Sequence, residues 1–211
     1  MTDPMDTIEL VGRSSSHFTR VVRIFALELA VPHTFRPLFD LTSLDATSYA
    51  QNPALKIPIL VDEQGPLFGA ENICRELVRR ATSHGTSVVM RGDVSARVVA
   101  NAEELTLHAM SSGVSVIMAK GAAGEQPAPP KVLKSLDNTL RYLDESLDDV
   151  LAALPQTRTL SFFEVALFCV VTHLPFRRIM DVTPFKRLGK LCESFGERAS
   201  AVATPYRFDV A

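Results

Sequence analysis

Asn52-Pro53-Ala54-Leu55-Lys56-Ile57-Pro58-Ile59-Leu60-Val61-Asp62, followed closely by Gly69-Ala70-Glu71-Asn72, is the stretch on which the fold turns. Ile59-Leu60-Val61 reads as a strand, yet a proline stands at its start. Proline has no N–H for a sheet ladder, so it is confined to a strand's first residue, an edge or a bulge. A cis X-Pro turn that exposes backbone groups to a ligand accounts for the placement economically. A helix is predicted to begin about ten residues beyond the proline. Turn, strand and helix N-terminus thus lie close together in the chain, a way to hold a small anionic peptide or cofactor.

The chain around this stretch has 211 residues, room for one large domain or two small ones. It is 46% hydrophobic and 22% charged, ordinary values for a globular protein. The net charge of −2 and pI of about 6.2 argue against a nucleic-acid partner, which favours a basic face. No apolar run reaches the ~18 residues of a membrane span, so no membrane association is expected. Met1 to Asp6 is polar and acidic, unlike a signal peptide, and a cytoplasmic location is expected. Cys74, Cys169 and Cys192 are far apart, form no CxxC and are expected as reduced thiols. The histidines show no paired spacing, so no metal site is expected.

Upstream, Ile8 and Leu10 alternate as in a strand, residues 12–17 read as a loop, and Val22, Phe25, Ala26 and Leu29 recur at helical spacing. Val31-Pro32 ends that helix. Thr34 to Leu38 forms a second strand, which Pro37 assigns to an edge. After Ile59-Leu60-Val61 come a turn at Gln64-Gly65, a short strand at Leu67-Phe68 and a helix carrying Ile73, Leu77 and Ala81. This β-α-β-β-β-α order is thioredoxin-like. Ser83 to Gly92 reads as a linker, and only helical patterns follow: Val98/Ala102/Leu105/Ala109, then, after a loop from Gly121 to Pro130, Leu133/Leu136/Leu140/Leu143/Leu147. Ser161-Phe162-Phe163-Glu164 is a capping box, with the Ser161 hydroxyl and Glu164 carboxylate expected to take each other's N–H groups. It precedes Val165 to Val171, which are apolar all round and therefore buried. Thr183-Pro184 is expected to cap the last long helix. The predicted architecture is an α/β thioredoxin-like domain over 1–82 and an all-α helical domain over 93–211.

That arrangement resembles the cytosolic glutathione S-transferase superfamily, and four local motifs carry the resemblance. Ser16-His17-Phe18-Thr19-Arg20-Val21-Val22-Arg23-Ile24 is similar to the family's Ser-Pro-aromatic-x-Arg-x-Val-Arg segment. Asn52-Pro53 with Lys56 to Asp62 is similar to its Asn-Pro…Lys-Val-Pro-x-Leu-x-Asp segment. Ser161-x-x-Glu164-x-Ala166 is similar to its second-domain capping helix, and Pro184 to Tyr206 to the final helix and C-terminal segment of bacterial members. The resemblance is to serine-type members, and it implies glutathione as co-substrate, a small-molecule electrophile, a homodimer and a role in detoxification.

On this resemblance Ser16 is the catalytic candidate, donating to the glutathione sulfur. A thiol of pKa about 8.5 is mostly neutral at pH 7, and a donor at a helix N-terminus favours its thiolate. Ser14 and Ser15 are neighbouring candidates, and a plain N-cap is the other reading of Ser16. His17 is expected to be a solvent-exposed loop histidine. Lys56, Ile57 and Pro58 are the expected glutathione contacts at the turn, Ile57 through two backbone hydrogen bonds. Pro58 in cis is otherwise a purely structural turn.

The chain departs from the family at the next helix. Gapless counting puts Gly69-Ala70 where the family has an acidic-Ser pair, and Glu71-Asn72 arrives two residues late. Two residues of helix rotate a side chain by about 200°. Ala70, Glu71 and Asn72 are still assigned to glutathione, through backbone N–H groups or a reorganised loop; Glu71 and Asn72 as ordinary first-turn residues is the competing reading. Phe18, His108 and Met110 are assigned to a hydrophobic substrate pocket, with core packing an equal reading for Met110. Two functions follow: a glutathione transferase that activates the thiol against an apolar electrophile, or a non-catalytic binding or scaffold protein of the same fold with weakened glutathione recognition.

Overall fold

The computed structural model describes residues 8–81, 87–122 and 129–210. It divides into two compact units, Met1–Thr86 with Ala199–Ala211, and Ser87–Arg198. Against the expected division at 1–82 and 93–211, the segment from Ala199 onward groups with the first unit.

The first unit is thioredoxin-like. Strands β1 (Ile8–Gly12), β2 (His33–Pro37), β3 (Ile59–Asp62) and β4 (Gly65–Phe68) form one sheet in the order β2-β1-β3-β4. β1 pairs parallel with β2 and antiparallel with β3, and β3 pairs antiparallel with β4. Pro37 sits on an edge strand, where its missing N–H costs no ladder bond. Helix α1 (His17–Glu28) follows β1 and helix α2 (Ala70–Arg80) follows β4. Ile8 and Leu10 of β1, Val22 and Phe25 of α1, and Ile73 and Leu77 of α2 are buried. A second cluster of Val11, Leu38, Tyr49 and Ile59 lies under the 50–58 loop, with Leu55 and Ile57 packed on it.

Register decides what this unit can do. Ile59 stands opposite Val11 on one side and Phe68 on the other. The last residues of β1 and β4 and the first of β3 therefore share one end of the sheet. Both helices start there, so two helix N-termini and the turn before β3 converge.

The second unit is helical: α3 (Arg97–Ala122), α4 (Pro130–Ala153), α5 (Phe162–Phe176) and α6 (Lys186–Gly196), with two-residue strands β5 (Val88–Val89) and β6 (Leu160–Ser161) paired in parallel. The buried stripe of α4 falls where periodicity puts it, and every residue of the Val165–Val171 run is buried. Other details depart from expectation. β5 lies inside the expected linker, of which 83–86 fall outside the described residues. Gly121 and Ala122 still belong to α3; 123–128 of the expected loop are not described. On α3 the buried face is Val99, Ala102, Thr106 and Ala109, whereas Val98 and Leu105 are half-buried. The Glu164 N–H does reach the Ser161 hydroxyl at 3.1 Å, but the Glu164 carboxylate takes the Ser161 hydroxyl (2.6 Å) and both arms of Arg158 (2.8 and 3.0 Å), not the Ser161 N–H. Helix α6 begins after Phe185, not at Thr183-Pro184. Its first-turn N–H groups, Arg187 and Leu188, are capped at 2.8 and 2.9 Å by Asp144 of α4, while the Thr183 hydroxyl donates to Asp181.

Candidate functional site

The convergent end of the first sheet collects three segments. The first is the loop between β1 and α1. Gly12 ends β1 with no room for a side chain: a Cβ there would lie 2.5 Å from Thr19 Cγ2 and Oγ1. Its absence lets the first turn of α1 lie against the strand. Ser16 then caps α1, its Oγ accepting from the Thr19 N–H at 3.3 Å. Accepting uses an oxygen lone pair and leaves the hydroxyl hydrogen to donate outward. Capping and sulfur contact are therefore compatible, not alternatives. Ser14 and Ser15 are only 3% and 8% exposed, whereas Ser16 is half-exposed. Ser14 is also engaged at both ends: its N–H donates to Asp209 Oδ2 at 2.7 Å, and its Oγ accepts from Arg23 Nη1 at 3.4 Å. His17 corrects the expectation of an exposed loop residue. It is the first residue of α1, 1% exposed, with its ring 4.7 Å from that of the half-buried Phe18.

The second segment is the 52–58 loop. The Ile57-Pro58 bond is cis. Ile57 precedes the β3 ladder, whose register begins at Ile59, so its backbone groups are not committed to the sheet. Lys56 is exposed and Pro58 buried. Asn52 holds the loop shut. It is 4% exposed, its Nδ2 donates to the Lys56 carbonyl at 2.7 Å and its Oδ1 accepts from the Ala54 N–H at 3.0 Å, while Leu55 turns the chain at φ 51°. Asn52 was visible as a motif residue, but its role was not. Asn52→Ala removes both hydrogen bonds that close the loop, each worth about 0.5–1.5 kcal/mol. The expected result is a lower denaturation midpoint with an unchanged slope, read by urea titration.

The third segment is the start of α2. Gly69 is its N-cap, at φ 88° and with no side chain to cap with. No side chain of the N-cap residue therefore closes the first turn of α2. Buried Ala70 offers only its backbone. The Glu71 carboxylate pairs with Arg75 at 3.1 Å, one turn on, and the Asn72 side chain donates back to the Phe68 carbonyl at 3.0 Å. Glu71 Oε1 is thus engaged within α2, and Asn72 Nδ2 ties the helix start to the end of β4.

Arg20, Arg207 and Asp209 all act on Arg23, whose pKa is lowered from its ordinary value by burial first and then by the neighbouring Arg207, with Asp209 opposing. Of the remaining assigned residues, His108 is exposed on α3, its Nε2 2.9 Å from the Ser135 hydroxyl of α4. Met110 is 1% exposed and belongs to the core of the second unit, so the pocket assignment is corrected there. Cys74, Cys169 and Cys192 form no disulfide among the described residues. Among the described residues no cluster of three or more His, Cys, Asp or Glu is placed to hold a metal, and no helix is long and apolar enough to cross a membrane.

Residues 10–84 match the family model described as the glutathione S-transferase N-terminal domain. The chain is 26% identical over 200 residues to YibF of Escherichia coli K12, described as an uncharacterized GST-like protein, covering 93% of this chain and 98% of that one. Two solved structures share the fold. A glutathione S-transferase from Methylobacillus flagellatus KT with glutathione bound has a TM-score of 0.75 at 21% identity, covering 95% of this chain and 100% of that one. A glutathione transferase family member from Pseudomonas fluorescens Pf-5 with bound glutathione has a TM-score of 0.77 at 19% identity, covering 95% and 99%.

Proposed function

This chain is a member of the glutathione S-transferase superfamily, and on that premise we propose that it binds glutathione at the convergent end of the first sheet and ionises its thiol there. The observation that carries the reading is the register: it brings the Ser16 hydroxyl, the Ile57-Pro58 turn and the α2 N-terminus to one place. The Ile57 backbone takes the cysteinyl part of the tripeptide, with Lys56 beside it. The γ-glutamyl carboxylate lies on the first-turn N–H groups of α2, at Ala70 and Glu71. Ser16 donates to the sulfur, and the α1 N-terminus favours the negative charge that develops. The thiol proton passes to solvent, and the thiolate attacks an apolar electrophile, forming the S–C bond as the bond to the leaving group (halide from an aryl halide) breaks; Phe18 supplies a contact for the electrophile.

A second reading rests on a specific observation. Glu71 Oε1 is tied to Arg75 and Asn72 Nδ2 to the Phe68 carbonyl, so the side chains at the start of α2 are drawn to protein partners in competition with a ligand's amine. An unpaired polar group costs about 1–3 kcal/mol, which is one to two orders of magnitude in affinity. A protein so weakened would serve as a binding or scaffold module. Homodimer formation belongs to the proposal as well, and light scattering tests it.

Retention on immobilised glutathione, followed by an assay with a generic aryl halide, separates the readings. Retention with conjugation supports the transferase. Retention without conjugation supports the binding module. Neither one overturns both.

A further inference from the structure

Asp209 lies 195 residues beyond Ser14, yet its Oδ2 accepts the Ser14 N–H at 2.7 Å. Its side chain is only 6% exposed, and its Oδ1 stands 3.6 Å from Arg207 Nε. The segment leading to it is fastened along α1. Arg20 Nη2 donates to the Ala201 carbonyl at 3.3 Å, the Arg20 guanidinium lies 4.4 Å from the Tyr206 ring centre, and the Ser200 hydroxyl donates to Glu28. Arg23, its guanidinium 4.3 Å from the Phe35 ring centre, reaches the Ser14 hydroxyl from the opposite side. A buried carboxylate is costly unless it is paired and hydrogen-bonded, and nothing in the proposed chemistry uses this one directly.

We propose that Asp209 is a positioning residue for Ser16: its carboxylate fixes the four-residue loop from which the sulfur donor projects. Other bonds on the loop are longer: the Arg13 N–H reaches Thr19 Oγ1 at 3.4 Å, the Ser16 N–H reaches the Arg13 carbonyl at 3.0 Å, the Ser14 hydroxyl accepts from Arg23 at 3.4 Å and the Ser16 hydroxyl from the Thr19 N–H at 3.3 Å. The 2.7 Å bond from the Ser14 N–H to Asp209 is shorter than these and has a carboxylate acceptor, which strengthens it. It acts two residues before Ser16. Loosening it lets the donor drift from the sulfur, and a misplacement of about 1 Å costs as much as 100-fold in rate. The carboxylate cannot help by its charge, because an anion near the sulfur opposes a thiolate. Its contribution is geometric, carried by the acceptor oxygen, while Arg207 and Arg23 offset the charge.

This inference rests on Ser16 being the sulfur donor, and the test separates the two. The thiol pKa of glutathione bound to the full chain is read from its ultraviolet thiolate absorbance against pH, alongside amide hydrogen exchange of residues 14–19 in the ligand-free protein. Asp209→Ala is expected to raise the thiol pKa by about one unit, to lower kcat about tenfold with KM for glutathione changed far less, and to speed exchange in the loop. Asp209→Asn keeps an acceptor oxygen and is expected to stay within about twofold of the parent in kcat. A merely structural anchor would lower the melting temperature of Asp209→Ala and leave the thiol pKa unmoved, which overturns the proposal. If Asp209→Ala does not fold, Asp209→Asn decides alone: parent-like thiol pKa and loop exchange support positioning by the acceptor oxygen, and a raised thiol pKa overturns it. If the parent protein binds glutathione without ionising it, the proposed thiol activation has failed, and with it the role assigned to Asp209. Parent activation with an unaltered Asp209→Ala overturns the role of Asp209 alone.

Discussion

Ser16→Ala is expected to lower kcat/KM for glutathione conjugation by about 10–100-fold. A hydrogen bond to a charged group is worth about 1.5–3 kcal/mol, and each 1.4 kcal/mol is tenfold. The same substitution deletes the N-cap of α1, where Oγ accepts from Thr19, at a cost of about 1 kcal/mol in stability. Ser16→Asp tells the two apart. Aspartate is as good a cap as serine, so stability should hold. As an anion it cannot donate to a thiolate and repels it, so activity should fall further than in Ser16→Ala. Thermal melts and steady-state kinetics on the two variants check this. A fully active Ser16→Asp would remove Ser16 from the chemistry.

Arg80→Ala is the substitution expected to cost the most stability. Arg80 ends α2 and pairs with Asp62, the last residue of β3, and with Glu76 at 2.6 Å. The side chains of Arg80 and Asp62 are 13% and 7% exposed. Breaking such a pair strands a nearly buried carboxylate, at about 3 kcal/mol. Because this pair clamps α2 to the β3–β4 hairpin, the loss should also weaken glutathione retention. Pairing Asp62→Asn with Arg80→Met should recover most of the stability, since Asn keeps an acceptor for the Gln64 N–H, which Asp62 now binds at 2.8 Å. The cluster also sets acid sensitivity. Hydrogen bonds from Arg79 and then Arg80, against some burial, hold the Glu76 pKa at about 2 from an ordinary 4.5. A depressed carboxylate contributes stability above its unfolded pKa and loses it as pH falls through the folded one. Glu76 therefore contributes fully above about pH 4.5, and its share fades toward pH 2. Denaturant midpoints across that range should fall less steeply in Arg80→Ala than in the parent.

Local signals in the chain carried most of the first unit. Proline placement, two-residue alternation and the Asn52-to-Asp62 motif are short-range properties, and the strands, helices and cis bond follow from them. What was not legible depends on distant partners. The cap of α6 comes from Asp144, 43 residues before Arg187, so Thr183-Pro184 was a local signal outweighed by a tertiary one. The β5 strand is two residues long and exists only because β6 lies beside it. His17 reads as a polar loop residue, yet the first turn of α1 buries it. At the site, Glu71 pairs with Arg75 and Asn72 donates to the Phe68 carbonyl of β4, each a partner four residues away in the chain. The hold of Asp209 on Ser14 could not be read, because nothing local links positions 195 apart.

The thiolate absorbance of glutathione bound to the unmodified protein, titrated with pH, tests the central claim most directly. Ser16 and two converging helix N-termini predict a bound thiol ionised below its ordinary pKa of about 8.5, with most of the shift lost in Ser16→Ala. A complex whose thiol titrates as free glutathione does would contradict the claim.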